Sequence, residues 1–299
     1  MCLIKTFNDY LMVIGLLKTH IVQSKMRNDS LSFKIFLPLL TSFILLVSCS
    51  SDENLQVVDP TGYTLVWSDE FDGNNLGADW THEIGTGSNG WGNNELQYYR
   101  SENTSVQGGF LTIEAREEAF GGRNYTSSRL ITKGKREFKY GRIDIRAKLP
   151  KGQGIWPALW MLGANFGSVS WPYCGEIDIM EMIGGSGREN KVIGTLHWDD
   201  GGYRCTCGID HDYVLPQGTF NDDFHIFSII WDESEITWYV DDIEFVSVTI
   251  TPQMEEFTKE FFFIFNIAVG GNLPGNPDGT TVFPQQMVID YIRVYQINS

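Results

Sequence analysis

Five short runs of the sequence alternate apolar and polar residues with a period of two, and this pattern most constrains the fold. The runs are rich in β-branched and aromatic residues, which is typical of strands with one buried face. They are Leu111–Ala115, Gly141–Leu149, Ile226–Trp231, Ile236–Val240 and Val288–Tyr295. No stretch after residue 62 keeps a helical period, and 31 glycines supply regular turn signals. The sequence therefore predicts one all-β domain, a sandwich of two antiparallel sheets.

Three acids lie in one otherwise apolar segment of the predicted sandwich. Glu176 and Asp178 would share a face of a regular strand, because side chains repeat every two residues. Glu181 comes five positions after Glu176 and would point into the hydrophobic core, at a cost on the order of several kcal/mol. One surplus residue, Ile179 or Met180, would form a β-bulge and bring all three acids to one face. The spacing therefore predicts a bulge between Asp178 and Glu181.

Three carboxylates on one face suit glycoside hydrolysis, in which one acid attacks the anomeric carbon and another protonates the leaving oxygen. The middle acid can share a proton with a neighbour and separate the two pKa values, since adjacent like charges resist joint ionisation. A calcium cluster and a solvated edge strand are the alternatives at this point. The large apolar neighbours of the acids favour a central, covered strand.

The charge balance limits the kind of partner that the protein binds. The formal net charge is −16 and no basic cluster appears, so nucleic acid is not expected as a partner and an anionic polysaccharide fits poorly. Nine tryptophans and 13% aromatic residues are typical of a protein that stacks flat apolar surfaces such as sugar rings. A neutral, soluble substrate is the simplest interpretation.

The beginning of the chain is typical of an export signal. Arg27 and Lys34 precede the 13-residue apolar run Ile35–Val47, which is short for a membrane span. The run ends in a sequence similar to a bacterial lipobox, so we expect Cys49 to be lipidated and to become the first mature residue. Met26 is a plausible true start. A core helix and an ordinary cleaved signal are the alternatives.

The expected boundaries are residues 1–48 for the leader, 49–62 for a flexible tether and 63–299 for the folded domain. The tether begins with Ser50–Glu53, which resembles the acidic tag of surface-exposed lipoproteins of Bacteroidetes-type bacteria. We therefore expect a cell-surface or outer-membrane lipoprotein, or a secreted protein, whose contact with the membrane is only through the lipid.

Three cysteines remain after the expected processing: Cys174, Cys205 and Cys207. An odd number in an oxidising compartment leaves at least one free thiol. A zinc site at the Cys205–Cys207 pair would need further ligands, and only His197 and His211 lie near it in the sequence. A bridge from Cys174 to one of the pair is a second alternative. Buried thiols are the favoured interpretation.

The segment Glu176–Glu181 resembles the catalytic signature of glycoside hydrolase family 16, in its form with the surplus bulge residue. Other segments from Leu65 to Tyr295 are similar to motifs of the laminarinase-like members, in the expected order. They are Trp67–Phe71, Trp91–Tyr99, Arg129–Gly134, Gly154–Leu162, Gly194–Trp198 and Asp290–Tyr295. The resemblance implies a concanavalin-like β-jelly roll with a concave substrate cleft, so that residues 63–299 would be the catalytic domain of such an enzyme.

The resemblance also implies roles for single residues. Glu176 matches the nucleophile, Glu181 the acid/base, and Asp178 the assisting acid between them. Five further positions match residues that line the cleft or hydrogen-bond substrate hydroxyls: Asn94, Arg129, Trp156, Trp160 and His197. These residue types suit the task, because indole faces stack on pyranose rings while arginine and asparagine bind hydroxyl groups.

Some of these assignments have plain structural alternatives. Trp160 and His197 could be core residues, and Arg129 could be a salt-bridge partner. The sequence also departs from the family at Leu273, where members often carry tryptophan, and at Tyr203–Cys207, where small and polar residues are usual. Both departures affect the sugar subsites and hence the linkage preference.

Many members of the family hold a structural calcium ion on the convex side of the sandwich. The matching positions are Glu70 and Gly109, through backbone carbonyls, and Asp290, through its side chain. Oxygen ligands with a single carboxylate suit Ca²⁺ with modest affinity. A plain strand-end acid is the alternative for Asp290. No cofactor is expected for the catalytic step.

The resemblance implies a monomeric, retaining endo-β-1,3-glucanase, a laminarinase that hydrolyses laminarin-type or mixed-linkage β-glucan by double displacement. Retention requires the two carboxyl groups roughly 5–5.5 Å apart, so we expect the strand to curve and Glu176 and Glu181 to lean together. An agarase- or carrageenase-like galactan hydrolase and a non-catalytic surface glycan-binding lipoprotein are the alternatives. The segment Asn93–Tyr98 favours glucan, and a binding protein would have no reason to keep both acids.

Overall fold

The computed structural model describes residues 62–200 and 211–297, and between them the backbone of Tyr203–Cys205. The expected leader, the lipidation site Cys49, almost all of the expected tether, and Cys207 lie outside these ranges. The described helical segments are three short turns: Gly90–Asn94, Ser101–Asn103 and Glu255–Thr258. None of the helices in these ranges is long and apolar enough to cross a membrane.

The described residues form 19 strands. In chain order the strands are β1 (Tyr63–Asp69), β2 (Thr81–His82), β3 (Gln97–Tyr99), β4 (Thr104–Gln107), β5 (Phe110–Phe120), β6 (Arg123–Ser127), β7 (Arg129–Ile131), β8 (Glu137–Phe138), β9 (Gly141–Lys148), β10 (Ile155–Gly163), β11 (Glu176–Glu181), β12 (Lys191–Asp200), β13 (Tyr203–Cys205), β14 (His211–Val214), β15 (His225–Trp231), β16 (Glu235–Val240), β17 (Ile243–Thr249), β18 (Phe261–Val269) and β19 (Gln285–Ile297). All five alternating runs of the sequence lie in strands, namely β5, β9, β15, β16 and β19.

The strands pair into two sheets. The first has the order β17-β16-β15-β9-β19-β5-β6-β3, with β1 on β19 and β4 on β5. The second has the order β13-β12-β11-β10-β18-β7-β2, with β14 on β12 and β8 on β18. All pairs are antiparallel except β3 with β6. The prediction of a sandwich built from two mainly antiparallel sheets is confirmed.

The main hydrophobic core lies between the two sheets. On β9 the side chains of Ile143, Ile145 and Ala147 are buried there, while Arg146 between the last two is part-exposed, as the alternation predicts. Asp144, between the first two, departs from the pattern because it is buried. Strand β18 differs, because every one of its residues is buried. A strand buried on both faces needs a second apolar layer beyond the sheet, so part of the outer face of the second sheet is also covered.

That second apolar layer is a small cluster formed by Leu162, Cys174, Phe262 and Ile264. Trp160 and Trp171 pack against it at the side of the acid-bearing strand. Cys174 is a free thiol, as the sequence analysis favoured for this residue. Burial raises the pKa of the thiol to about 12, so it stays protonated and acts as a small apolar side chain.

Candidate active site

A β-bulge lies in β11, at the position that the spacing of the acids predicts. Met180 pairs with Leu159 on β10, and the next pair joins Trp160 to Asp178, which leaves Ile179 without a partner on that strand. On the other neighbouring strand, β12, Asp178 pairs with Thr195 and Glu181 pairs with Ile193. The two residues of β11 between these pairs therefore face one residue of β12, Gly194. The surplus residue is therefore Ile179.

The bulge sorts the side chains of β11 between the core and the opposite face. Ile177, Ile179 and Met180 are all buried in the main core, which two successive residues of a regular strand could not both reach. The side chains of Glu176 and Glu181 stay part-accessible on the other face. The predicted convergence of the acids on one face is confirmed.

The three carboxyl groups resist ionising together. Burial raises the pKa of Glu176, Asp178 and Glu181 to about 8, and for the two glutamates the charge of Asp178 adds to the effect. The nearby side chains of His197 and Arg129 act in the opposite direction on Glu176 and lower its pKa. The cluster therefore holds at least one proton near neutral pH, and Glu176 is the glutamate on which the Arg129 guanidinium acts.

His197 lies between the first two acids. Its Nε2 atom is 3.4 Å from Glu176 Oε1 and 3.2 Å from Asp178 Oδ2. Within the described ranges, these three residues are the one set whose potential ligand atoms all lie within 4.8 Å of one another, so they are also the one side-chain set that could hold a metal ion. The Asp178 Oδ2 atom is buried, and its contact with His197 Nε2 does not have hydrogen-bond geometry.

Two tryptophans of β10 extend toward the acids. The indole N–H of Trp156 donates a 2.9 Å hydrogen bond to Glu181 Oε1. The indole N–H of Trp160 donates instead to Asn266 Oδ1 on β18, at 2.8 Å. Trp160 also packs against the small apolar cluster, so it belongs both to the site and to the packing beneath it. Of these two indoles, that of Trp156 is therefore the one that donates a hydrogen bond to one of the acids.

Arg129 lies between two indole rings. Its guanidinium carbon is 4.6 Å from the ring centroid of Trp91 and 4.9 Å from that of Trp160. Its Nε atom donates a 2.6 Å hydrogen bond to Glu83, so the ion pair that was the alternative for this residue is present. The stacking and the ion pair together fix the guanidinium beside the acid-bearing strand.

Asn94 lies at the rim, on an irregular turn. The side-chain amide donates a 2.8 Å hydrogen bond to Asn272 Oδ1, which joins this turn to the loop after β18. Gly271 in that loop faces the Trp156 ring, since a Cβ atom there would lie 3.5 Å from it. The next residue after Asn272 is Leu273, whose side chain is exposed. The departure from tryptophan at this position therefore leaves an aliphatic side chain at the rim.

Sequence reasoning missed a buried polar chain beneath the site. Glu95 accepts hydrogen bonds from Gln97 at 2.6 Å and from the Tyr99 hydroxyl at 3.2 Å. The Tyr99 hydroxyl accepts one from Asn266 at 3.2 Å, and Asn266 in turn holds the Trp160 indole. The sequence feature that could have indicated this chain is the charged Glu95 inside the Trp91–Tyr99 motif. Its other members on β10 and β18 are far away in sequence, so the sequence alone could not identify them.

Of the three positions expected to hold calcium, only Asp290 was expected to bind through its side chain, and its carboxylate forms an ion pair with Arg146. The Glu70 carboxylate pairs with Arg293, but the expected ligand atom of Glu70 is its backbone carbonyl oxygen. Gly109 has open space around it, with Asp72 the nearest side chain to a Cβ atom placed there. A guanidinium on the single carboxylate of the set suits a divalent cation poorly. Calcium binding stays a prediction.

Comparisons with known proteins agree with this geometry. The family described as Glycosyl hydrolases family 16 matches residues 91–293, which include the three acids. A second family, described as Beta-glucan synthesis-associated protein SKN1/KRE6/Sbg1, matches residues 2–174, which end before them. The laminarinase catalytic domain of Thermotoga maritima MSB8 is 51% identical with a TM-score of 0.74, and the match covers 79% of this chain and 99% of that domain.

Two relatives differ in how much of their length is matched. The Beta-glucanase of Rhodothermus marinus is 42% identical over 272 residues, which are 86% of this chain and 94% of the relative. The Clotting factor G alpha subunit of Tachypleus tridentatus is 41% identical over 237 residues, and this chain spans only 34% of that subunit. Because the family match includes the bulged strand and most of the sandwich, the chain belongs to glycoside hydrolase family 16.

Proposed function

We propose that this protein is a retaining endo-β-1,3-glucanase that hydrolyses laminarin-type or mixed-linkage β-glucan. The observation that carries the proposal is the bulge at Ile179, which leaves Glu176, Asp178 and Glu181 on one face of β11. The likeness to a laminarinase catalytic domain and to a β-glucanase supports glucan as the substrate class.

The surroundings of the two glutamates support different roles for them. Glu176 is the glutamate on which the Arg129 guanidinium acts, and this charge favours its ionised form, so Glu176 attacks the anomeric carbon. Glu181 keeps a proton, because burial and the charge of Asp178 raise its pKa, and it donates this proton to the leaving oxygen. A glycosyl-enzyme forms on Glu176, and Glu181 then acts as a base toward the water that releases it.

The groups around the acids suit a neutral sugar chain. Trp156 and Trp160 present partly accessible aromatic surface beside the acids, and Arg129 and Asn94 present polar groups that can bind hydroxyls. Arg129 is already paired with Glu83, so the site offers it as a fixed hydrogen-bond donor more than as a free cation. This arrangement favours glucan over a sulfated galactan.

The test is to incubate the purified protein with laminarin, lichenan, agarose and κ-carrageenan and to size the products. We expect laminarin, and to a lesser extent lichenan, to give a ladder of oligosaccharides, which is the mark of endo action. Proton NMR of the earliest products should show the β-anomer first, because retention follows from two displacements.

The Glu176→Ser variant should lose laminarin hydrolysis by a factor on the order of 10³ or more, since no covalent intermediate can form. Glu117→Ser, which changes an exposed acid on β5, is the matched control and should keep wild-type rates. Undiminished hydrolysis by Glu176→Ser would refute the nucleophile assignment. Binding of laminarin by the wild-type protein without any turnover would favour a glycan-binding lipoprotein instead.

We also propose a lipid anchor at Cys49 and a monomeric protein at the cell surface or outer membrane. The apolar run Ile35–Val47 and the lipobox-like sequence before Cys49 support this proposal. In a bacterial host, the full chain should incorporate labelled palmitate and fractionate with membranes. Cys49→Ser should abolish the label, whereas Cys2→Ser should keep it. Label that persists in Cys49→Ser would contradict the assignment.

A further inference from the structure

A hydrogen bond from the first sheet crosses the core and reaches the bulge. The indole N–H of Trp238, on β16 of the first sheet, donates to the backbone carbonyl oxygen of Asp178, on β11 of the second sheet, at 2.8 Å. Trp238 is 1% exposed and Asp178 is 2% exposed, so no solvent competes for this bond. The acceptor is the carbonyl of the residue directly before the surplus Ile179.

The Trp238 ring is also seated against the strand on the other side of the bulge. A Cβ atom on Gly194 of β12 would lie 2.6 Å from Cδ1 and 2.8 Å from Nε1 of Trp238. Gly194 is the residue that lies between Thr195 and Ile193, opposite the two residues of the bulge. The Trp238 ring therefore packs against the backbone of β12 opposite the bulge, and its N–H donates to the Asp178 carbonyl at the bulge.

This arrangement determines which face of β11 the side chains after the bulge occupy. A bulge can relax by moving its surplus residue along the strand, and such a shift would turn Glu181 away from the face that Glu176 occupies. A carbonyl that is held from the opposite sheet opposes the shift, because a buried acceptor without a donor is unfavourable. The direction of Glu181 therefore depends on a donor that lies on the far side of the core from the substrate.

We propose that Trp238 is a positioning residue for the acid/base Glu181, acting through the Asp178 carbonyl and the bulge. The inference rests on the proposed function, because it concerns the proton donor of that reaction. Trp238 itself is buried in the core and does not reach the substrate face.

The test uses Trp238→Phe, which keeps an aromatic ring in the core and removes the N–H donor. Trp231→Phe is the matched control, because Trp231 is also fully buried and its indole donates a 3.1 Å hydrogen bond to a backbone carbonyl, that of Phe257. Both variants lose one buried indole–carbonyl bond, but only the first loses it at the bulge. Rates are measured on laminarin and on dinitrophenyl β-laminaribioside, whose leaving group needs no proton.

For Trp238→Phe we expect kcat/KM on laminarin to fall by a factor of about 10 to 100, since general acid catalysis as a whole contributes on the order of 10²–10⁴-fold. On the dinitrophenyl substrate, kcat/KM should change by less than about 3-fold, and azide should raise kcat by replacing water activated by Glu181. Trp231→Phe should show neither the dependence on leaving group nor the response to azide.

An equal fall on both substrates, or equal behaviour of the two variants, would overturn the proposal. If Trp238→Phe does not fold, Gly194→Ala provides the second test, because the added methyl group displaces the ring without removing it, and the same dependence on leaving group is expected. Wild-type protein that is inactive on laminarin would instead overturn the proposed function, so the two failures are distinguishable.

Discussion

At the scale of single residues, one hydrogen bond makes the surroundings of the two proposed catalytic glutamates different. Trp156 donates to Glu181, and this bond lowers the pKa of that carboxyl group against the larger effect of burial. For Glu176 the nearby side chains of His197 and Arg129 lower the pKa instead. In the proposed mechanism, the same indole thus lowers the pKa of the acid/base and also stacks on the substrate.

Removing this donor should change the pH dependence of the reaction. In Trp156→Phe the carboxylate form of Glu181 loses its hydrogen bond, so its pKa rises and the protonated form persists to higher pH. The basic limb of the kcat/KM profile on laminarin should therefore move upward, by about 0.5–1 pH unit. Trp160→Phe is the control, because the Trp160 indole donates to Asn266, and its limb should stay in place. A limb that does not move, or moves down, in Trp156→Phe would contradict the assignment of Glu181 as the acid.

The buried acids should also lower the stability of the fold at high pH. A carboxyl group whose pKa rises on folding, here from about 4.5 to about 8 for Glu181, binds its proton more tightly in the folded state. The unfavourable contribution is absent below the unfolded pKa and grows as the pH rises through the folded pKa.

Glu181→Gln should therefore stabilise the protein at about pH 8 by roughly 1–2 kcal/mol, since one pKa unit corresponds to about 1.36 kcal/mol and the partly open site screens the charge. The gain should shrink toward about pH 5. Urea unfolding across this range measures it, with the exposed Glu117→Gln as the control. A gain that is constant with pH would show that packing, not charge, is responsible.

At the scale of elements, the polar chain from Glu95 to Trp160 ties β3, β18 and β10 together. Tyr99 is the central link, because its hydroxyl group donates to Glu95 and accepts from Asn266. Both of these partners are buried, so each would lose a hydrogen bond in a place that water does not reach. The chain therefore supports the indole on which Arg129 stacks.

Tyr99→Phe should lower the free energy of unfolding by about 1–3 kcal/mol, the cost of leaving buried polar groups unsatisfied. It should also raise KM for laminarin more than it lowers kcat, because in the proposed mechanism Trp160 and Arg129 bind the sugar chain and do not transfer protons. Tyr98→Phe is the matched control, since that neighbouring ring packs edge-on against Phe120 instead. Equal stability of the two variants would refute the role of the chain.

At the scale of the whole domain, the two sheets are in close contact where Gly194 of β12 meets Trp238 of β16. A Cβ atom at Gly194 would lie 2.6 Å from the indole, and the ring is enclosed by the core. Gly194→Ala should therefore cost about 1–3 kcal/mol of unfolding free energy through overpacking. Gly279→Ala is the control, because no atom lies within 4 Å of a Cβ there. Urea midpoints that agree between the two variants would contradict this close packing.

Much of the fold could be predicted because its information is local. The alternation in runs such as Gly141–Leu149 places one face of each strand in the core without reference to any other strand. Strands such as β2 and β8 have two residues each and carry no such pattern, so only their partners in the second sheet define them. The parallel pair β3–β6 is of the same kind, because it joins Gln97–Tyr99 to Tyr125–Ser127, which no periodic pattern in the sequence relates.

The sequence by itself determined the sandwich, the bulge and the face on which Glu176, Asp178 and Glu181 meet. Those features follow from residue spacing along single strands. On a strand with one buried face, a charged side chain is favourable only on the other face. The tertiary structure alone decided that Arg129 stacks between Trp91 and Trp160 and that Trp238 reaches the bulge from the other sheet. Such contacts join residues far apart in the chain, and their partners are chosen by the packing of two sheets.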